Sequence, residues 1–188
     1  MKNKNTIYIL SSLALIGVAA VVYTILRRSK KPSKKGKNII IGDSQTPFID
    51  NQTTKASRLS ETPGEQSLWK GGMGLSWLKG AVDKYPVDED VSNVIVNIGT
   101  NGGFNPYEDI DGLFNSLKGK FPNANFYTVK GSWGWGGNSK ITESQVNQYY
   151  DKFKKYSKVL NPAIGSVKDP HGNLPIYKKI GEAIDNEL

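Results

Sequence analysis

Apolar residues along this chain follow two alternating rhythms. The first is the short, dense run. Ile39-Ile40-Ile41 is one, and it stops at Gly42-Asp43-Ser44. Val91 to Ile98 is a second, ending in Gly99-Thr100-Asn101-Gly102. Asn125 to Val129 is a third, ending in Lys130-Gly131, and Lys158-Val159-Leu160 with Ile164 is a weaker fourth. Runs this short, rich in β-branched and aromatic residues and bounded by Gly, Asn or Asp, read as strands. The second rhythm spaces apolar residues three or four apart. Leu75, Leu78 and Val82 do so, as do Ile110, Leu113, Phe114 and Leu117. Val146, Tyr149, Phe153 and Tyr156 form another set, and Ile176, Ile180 and Ile184 a last one. These are single faces of helices. Strands joined by helical crossovers predict a parallel sheet covered on both sides, a three-layer α/β fold. Residues 49 to 66 carry neither rhythm and read as a long surface loop. "GSWGWGGNS", 131 to 139, also reads as a loop, in which Trp133 and Trp135 either cap the core or meet a substrate.

The N-terminal end follows another pattern. Residues 1 to 6 are polar, and residues 7 to 26 hold twenty positions without a charge. At about 1.5 Å per residue they span roughly 30 Å, the thickness of a bilayer's hydrocarbon core. Tyr8 and Tyr23 lie near its two ends, where interfacial aromatics are favoured. A basic run over 27 to 37 follows, with Pro32, Ser33 and Gly36 giving it the composition of a flexible tether. The expectation is one uncleaved transmembrane helix, with a cleaved signal peptide as the rival. Seven basic residues follow the apolar segment and two precede it, which puts the larger domain on the cytoplasmic side, or its equivalent.

Charge sharpens this division. The whole chain carries +8, but its first 37 residues hold nine of the 25 basic side chains and no acid. The remainder, 38 to 188, has 16 basic against 17 acidic residues and is close to neutral. A nucleic-acid-binding domain normally needs a basic face, so nucleic acid is not an expected partner. With no cysteine, disulfides, zinc–thiolate sites and thiol nucleophiles are excluded.

The ends of the strands carry the chemistry. Ser44 follows the first strand; "KGGMGLSW", 70 to 77, precedes a helix; Gly99-Thr100-Asn101 follows another strand; and the single histidine, His171, stands in "DPHGN" before the last helix. In a parallel sheet such loops open on one edge. A serine nucleophile needs a base, and histidine is the usual one. It also needs donors for a developing oxyanion, which glycine N–H groups and an Asn side chain supply.

These four segments, "GDSQ", "GGMGLSW", "GTNG" and "DPHGN", resemble in order the four blocks of the SGNH (GDSL-like) hydrolase superfamily, over residues 38 to 188. The resemblance implies a flavodoxin-like three-layer sheet and a Ser-His-Asp hydrolase of acyl or acetyl esters, without metal or cofactor. It makes Ser44 the nucleophile and His171 the general base. The oxyanion donors would be the backbone N–H of Ser44, the backbone N–H of Gly74 (with Gly72 as the competing alignment) and the Asn101 side chain. The family's aspartate lies three residues before its histidine, where this chain has Lys168. Asp169, two before, is the replacement, or a backbone carbonyl orients the ring instead. Gly102 stands where an aspartate commonly follows the Asn.

The function expected is a membrane-anchored serine hydrolase of ester-linked acyl groups on a glycan or lipid. One alternative is a catalytically weak or inactive domain of this kind, acting as a membrane-bound binding or structural protein, in a cell or a virion. A secreted esterase follows if the N-terminal segment is cleaved. The oligomeric state is not legible.

Overall fold

The computed structural model describes residues 36–171 and 174–188. Residues 1 to 6, the apolar segment 7–26 and the basic run as far as 35 lie outside the described residues, so the expected anchor does too. Among the described residues, no helix is long and apolar enough to cross a membrane.

The five strands are β1 (Lys37–Gly42), β2 (Ser57–Arg58), β3 (Val91–Asn97), β4 (Asn125–Val129) and β5 (Lys158–Leu160). They form one parallel sheet in the order β2-β1-β3-β4-β5. The helices are α1 (Thr46–Asp50), α2 (Leu75–Lys84), α3 (Ile110–Lys120), α4 (Glu143–Phe153) and α5 (Leu174–Glu187). Side chains alternate across a strand, and the core divides accordingly. Ile39, Ile41, Val94 and Val96 face the apolar stripes of α2, α3 and α4. Ile40, Ile95 and Val129 face Ile49 of α1 and Ile176, Ile180 and Ile184 of α5. The three-layer α/β expectation holds.

Four details differ from the sequence reading. The first strand begins ahead of its apolar run, because Lys37 already pairs with Val91 in the sheet. Residues 49–66 are not simply loop: they contain the end of α1 and the edge strand β2, which pairs with Ile39 and Ile40. The helix of the Val146 set ends at Phe153, so Tyr156 lies beyond it, stacked on Phe114 at 5.1 Å. Ile164 lies outside β5 and packs on the α5 side of the sheet.

The Trp-containing loop is likewise irregular, and both indoles pack against the core. Trp135 meets Phe104 edge-on at 6.0 Å and donates Nε1–H to the Ser132 carbonyl. Trp133 bridges to Ser166 and lies beneath the Lys130 ammonium.

The chain leaves β1 and β3 side by side. In an open α/β sheet, ligands bind beyond the carboxyl ends of the strands where the order reverses, and here that point lies between β1 and β3.

Candidate active site

Gly42 explains the abrupt end of β1. Its φ is +148°, and a Cβ there would stand 1.8 Å from the Asn97 carbonyl oxygen. Only glycine lets the two strands approach and the chain turn at this point. The turn is then fixed from both sides. Gly42 N–H donates to the Leu68 carbonyl and the Gly42 carbonyl accepts from Lys70 N–H, while Asp43 N–H donates to the Asn97 carbonyl. Ser44 emerges half-buried at the strand end.

His171 reaches it from the other end of the chain. Ser44 Oγ and His171 Nε2 are 2.8 Å apart, a hydrogen bond between residues 127 positions distant in sequence. The histidine loop is braced by Tyr177 of α5, whose hydroxyl donates to the Pro170 carbonyl at 2.9 Å. Tyr177 in turn stacks on Phe48 of α1, two helix turns converging on one loop. Asp169 accepts the His171 backbone N–H at 2.8 Å, and the same Oδ1 lies 3.4 Å from ring Nδ1. That is longer than a good N–H···O bond. The Asp169 side chain is also 66% exposed.

The glycine segment is brought to the nucleophile by the Leu68–Lys70 pairing with Gly42. Gly71 faces the serine: a Cβ on it would lie 3.7 Å from Ser44 Cβ. Gly74 is the N-cap of α2, and Gly72 sits in open space with φ +74°. Asn101 lies in the short 3-10 turn Thr100–Gly102 after β3, and its Nδ2 donates to the Met73 carbonyl at 3.0 Å. An amide has two N–H bonds, so one remains for an oxyanion. Gln45 Nε2 donates to Thr100 Oγ1 at 2.7 Å, tying the serine turn to the asparagine turn. Gly99, with φ +121°, has Tyr149 and Phe104 within 2.8 Å of where a Cβ would be, so this turn too requires glycine. The structure therefore brings Ser44, His171, Asp169, Asn101 and the glycine segment to one edge of the sheet.

Two carboxylates here escaped the sequence reading. Asp43 is fully buried, and its Oδ1 accepts from Gln45 N–H at 3.0 Å and Asn97 Nδ2 at 3.1 Å. Oδ2 has no partner. Burial pushes this carboxyl up to about 6, although the Gln45 N–H, the neighbouring His171 and the Asn97 amide all favour its charged form. The signal was its parity with Ile39 and Ile41, which continues one inward face of β1 past the turn. Glu108 is the other. Its Oε1 lies against Gly102 and Gly74, and its carboxylate receives the Leu75 N–H at the start of α2. Desolvation raises its pKa. The Tyr149 hydroxyl faces the same carboxylate, but neither it nor Glu108 Oε2 has a partner at good hydrogen-bond geometry. Nothing in the sequence singled out Glu108.

Among the described residues, no group of three or more His, Asp or Glu side chains is arranged to hold a metal ion. No family model matches the chain, and no curated protein matches it. Solved structures do match its fold. Phospholipase A1 from Streptomyces albidoflavus NA297 superimposes with a TM-score of 0.55 at 11% identity, over 82% of this chain and 100% of that one. A member of the lipolytic protein G-D-S-L family from Veillonella parvula DSM 2008 gives 0.51 at 12%, over 78% and 94%. The fold is SGNH hydrolase-like. The OSK domain of Drosophila Oskar shares it as well, at 0.52 and 13% identity, over 79% of this chain and 86% of that domain. At these identities the likeness concerns architecture alone, and chemistry has to be argued from the side chains.

Proposed function

We propose that this chain is a membrane-anchored serine hydrolase that cleaves ester-linked acyl groups of a glycan or lipid. The observation that carries the reading is the 2.8 Å contact between Ser44 Oγ and His171 Nε2 at the carboxyl edge of the sheet. His171 Nε2 takes the hydroxyl proton as Oγ attacks the ester carbonyl carbon. The carbonyl π electrons move onto oxygen, and the oxyanion is held by backbone N–H groups of Ser44 and the glycine segment together with Asn101 Nδ2. Collapse breaks the bond to the alcohol, which leaves with the proton from His171, and Ser44 remains acylated. Water then attacks the acyl group by the same route, His171 taking its proton and returning it to Ser44. No cofactor or metal enters these steps. Residues 7 to 26 hold the enzyme to the bilayer, the role their length and lack of charge support.

The glycine donor is best assigned to the stretch from Gly71 to Gly74, in which Gly71 faces Ser44 and Gly74 opens a helix N-terminus. Turnover of p-nitrophenyl acetate by Ser44→Ala tests the reading. The expected result is a fall to the rate of a heat-killed sample, with circular dichroism unchanged. Turnover at the parent rate overturns it.

One observation favours the second reading, a weak or silent hydrolase domain serving as a membrane-bound binding protein. The acid beside His171 is exposed and engages the ring only at 3.4 Å. Comparing His171→Ala with the parent at pH 8 separates the two, since equal rates leave the histidine without a catalytic role.

A further inference from the structure

The exposed Asp169 leaves the charge that forms on His171 poorly compensated, because an exposed carboxylate is screened by solvent and salt. A second carboxylate lies inside, one residue before the nucleophile. Asp43 is 0% exposed, its Oδ1 is fixed by two donors and its Oδ2 has none. A buried carboxylate with an unpartnered oxygen is costly to fold around. The ionisable side chains within electrostatic reach of it are His171, Tyr149 and Tyr150 from α4, and Tyr177 from α5. The three tyrosines are held neutral by burial, and the Asp43 charge pushes each further from ionising. His171 is the one member of this set that becomes cationic.

Resting on the hydrolase reading, we infer that Asp43 is a positioning residue acting through His171: its buried carboxylate stabilises the imidazolium formed when Ser44 Oγ passes its proton to Nε2, and does so more than Asp169 does. Asp43 itself neither gives nor takes a proton in the cycle. The proton goes from Oγ to Nε2 and on to the departing alcohol. The Asp43 carboxylate lies in the low-dielectric interior, where its field is screened less than that of the exposed Asp169, although the His171 side chain it acts on is itself 43% exposed.

The chain has a single histidine, so its imidazole resonances report His171 without ambiguity. The test is their pH titration by NMR in the full chain in mild detergent, for the parent, Asp43→Asn and Asp169→Asn, beside steady-state kinetics. Asp43→Asn is expected to move the titration midpoint down by about one pH unit and to lower kcat about tenfold, with KM unchanged. The acid limb of kcat/KM should move down with it, and Asp169→Asn should move both less. An unmoved midpoint, or a larger shift in Asp169→Asn, overturns the inference. If Asp43→Asn does not fold, the parent alone decides. Raising NaCl from 20 to 500 mM should leave the midpoint in place if a buried charge sets it, and a midpoint that moves with salt would assign it to surface charge. Ser44→Ala and His171→Ala keep the two hypotheses apart. If both abolish turnover while Asp43→Asn behaves as the parent, only this inference fails. If both retain turnover, the hydrolase reading fails first.

Discussion

Asn101 has a narrow task in this account. One of its amide N–H bonds holds the Met73 carbonyl and the other is free for the oxyanion. Removing a single oxyanion donor costs transition-state binding and little ground-state binding, so Asn101→Ala should lower kcat by about 10²–10³ with KM nearly unchanged. Steady-state kinetics on p-nitrophenyl acetate check it, and an unaltered kcat reduces the turn to a structural role. Asp43 makes a prediction about stability as well. Burial pushes its folded carboxyl up to about 6, above the ordinary aspartate value of about 4, so between those pH values the folded chain holds more of this proton than the unfolded one. Stability from this group is therefore full below about pH 4 and is lost as pH rises towards 6. Asp43→Asn removes that loss. Relative to the parent, it should gain stability between pH 4 and 7, by at most about 3 kcal/mol. Urea denaturation of both proteins at pH 4.5 and pH 8 reads the difference. A purely structural Asp43 would instead make the variant less stable at both.

Glycines show how differently one residue type acts in different elements. At the end of β1, a Cβ on Gly42 meets the Asn97 carbonyl at 1.8 Å with φ at +148°, whereas one on Gly80 in α2 meets nothing within 4 Å. Gly42→Ala should cost about 3 kcal/mol or more through overpacking and strain. Gly80→Ala should instead stabilise by about 0.5–1 kcal/mol, since alanine suits a helix interior. Thermal unfolding of the two variants checks the pair, and similar shifts would contradict the geometry. Elements with repeated apolar contacts were legible in the sequence. The Asn125–Val129 strand has the bounds that its apolar run predicts, and the Leu75, Ile110 and Ile176 faces are buried as their spacing requires. Elements without such a pattern were not. Ser57–Arg58 is a polar two-residue edge strand, and Thr46–Asp50 is too short to show helical periodicity. Gly71 reaches Ser44 because Leu68 to Lys70 pair with Gly42, a long-range contact that no local spacing encodes. Asp43 was hidden for another reason: a polar residue in a turn reads as exposed, and here it is buried.

At the scale of the whole chain, the sheet sets a direction. The upstream sequence enters at Lys37, at the start of β1, and Ser44 emerges at the opposite edge, about 20 Å away for six residues of strand. If residues 7 to 26 are an uncleaved anchor, intact-mass analysis of the membrane fraction should return a chain that retains them. A soluble product beginning near residue 27 would mean secretion instead. The central claim is that Ser44 is a nucleophile made reactive by His171, and labelling by a fluorophosphonate probe tests it most directly. The full chain should take up one probe molecule, with the adduct on Ser44 by peptide mass spectrometry, and the rate should drop by at least about 10³ in His171→Ala. No labelling of the parent, or labelling that proceeds equally fast without the histidine, contradicts the account.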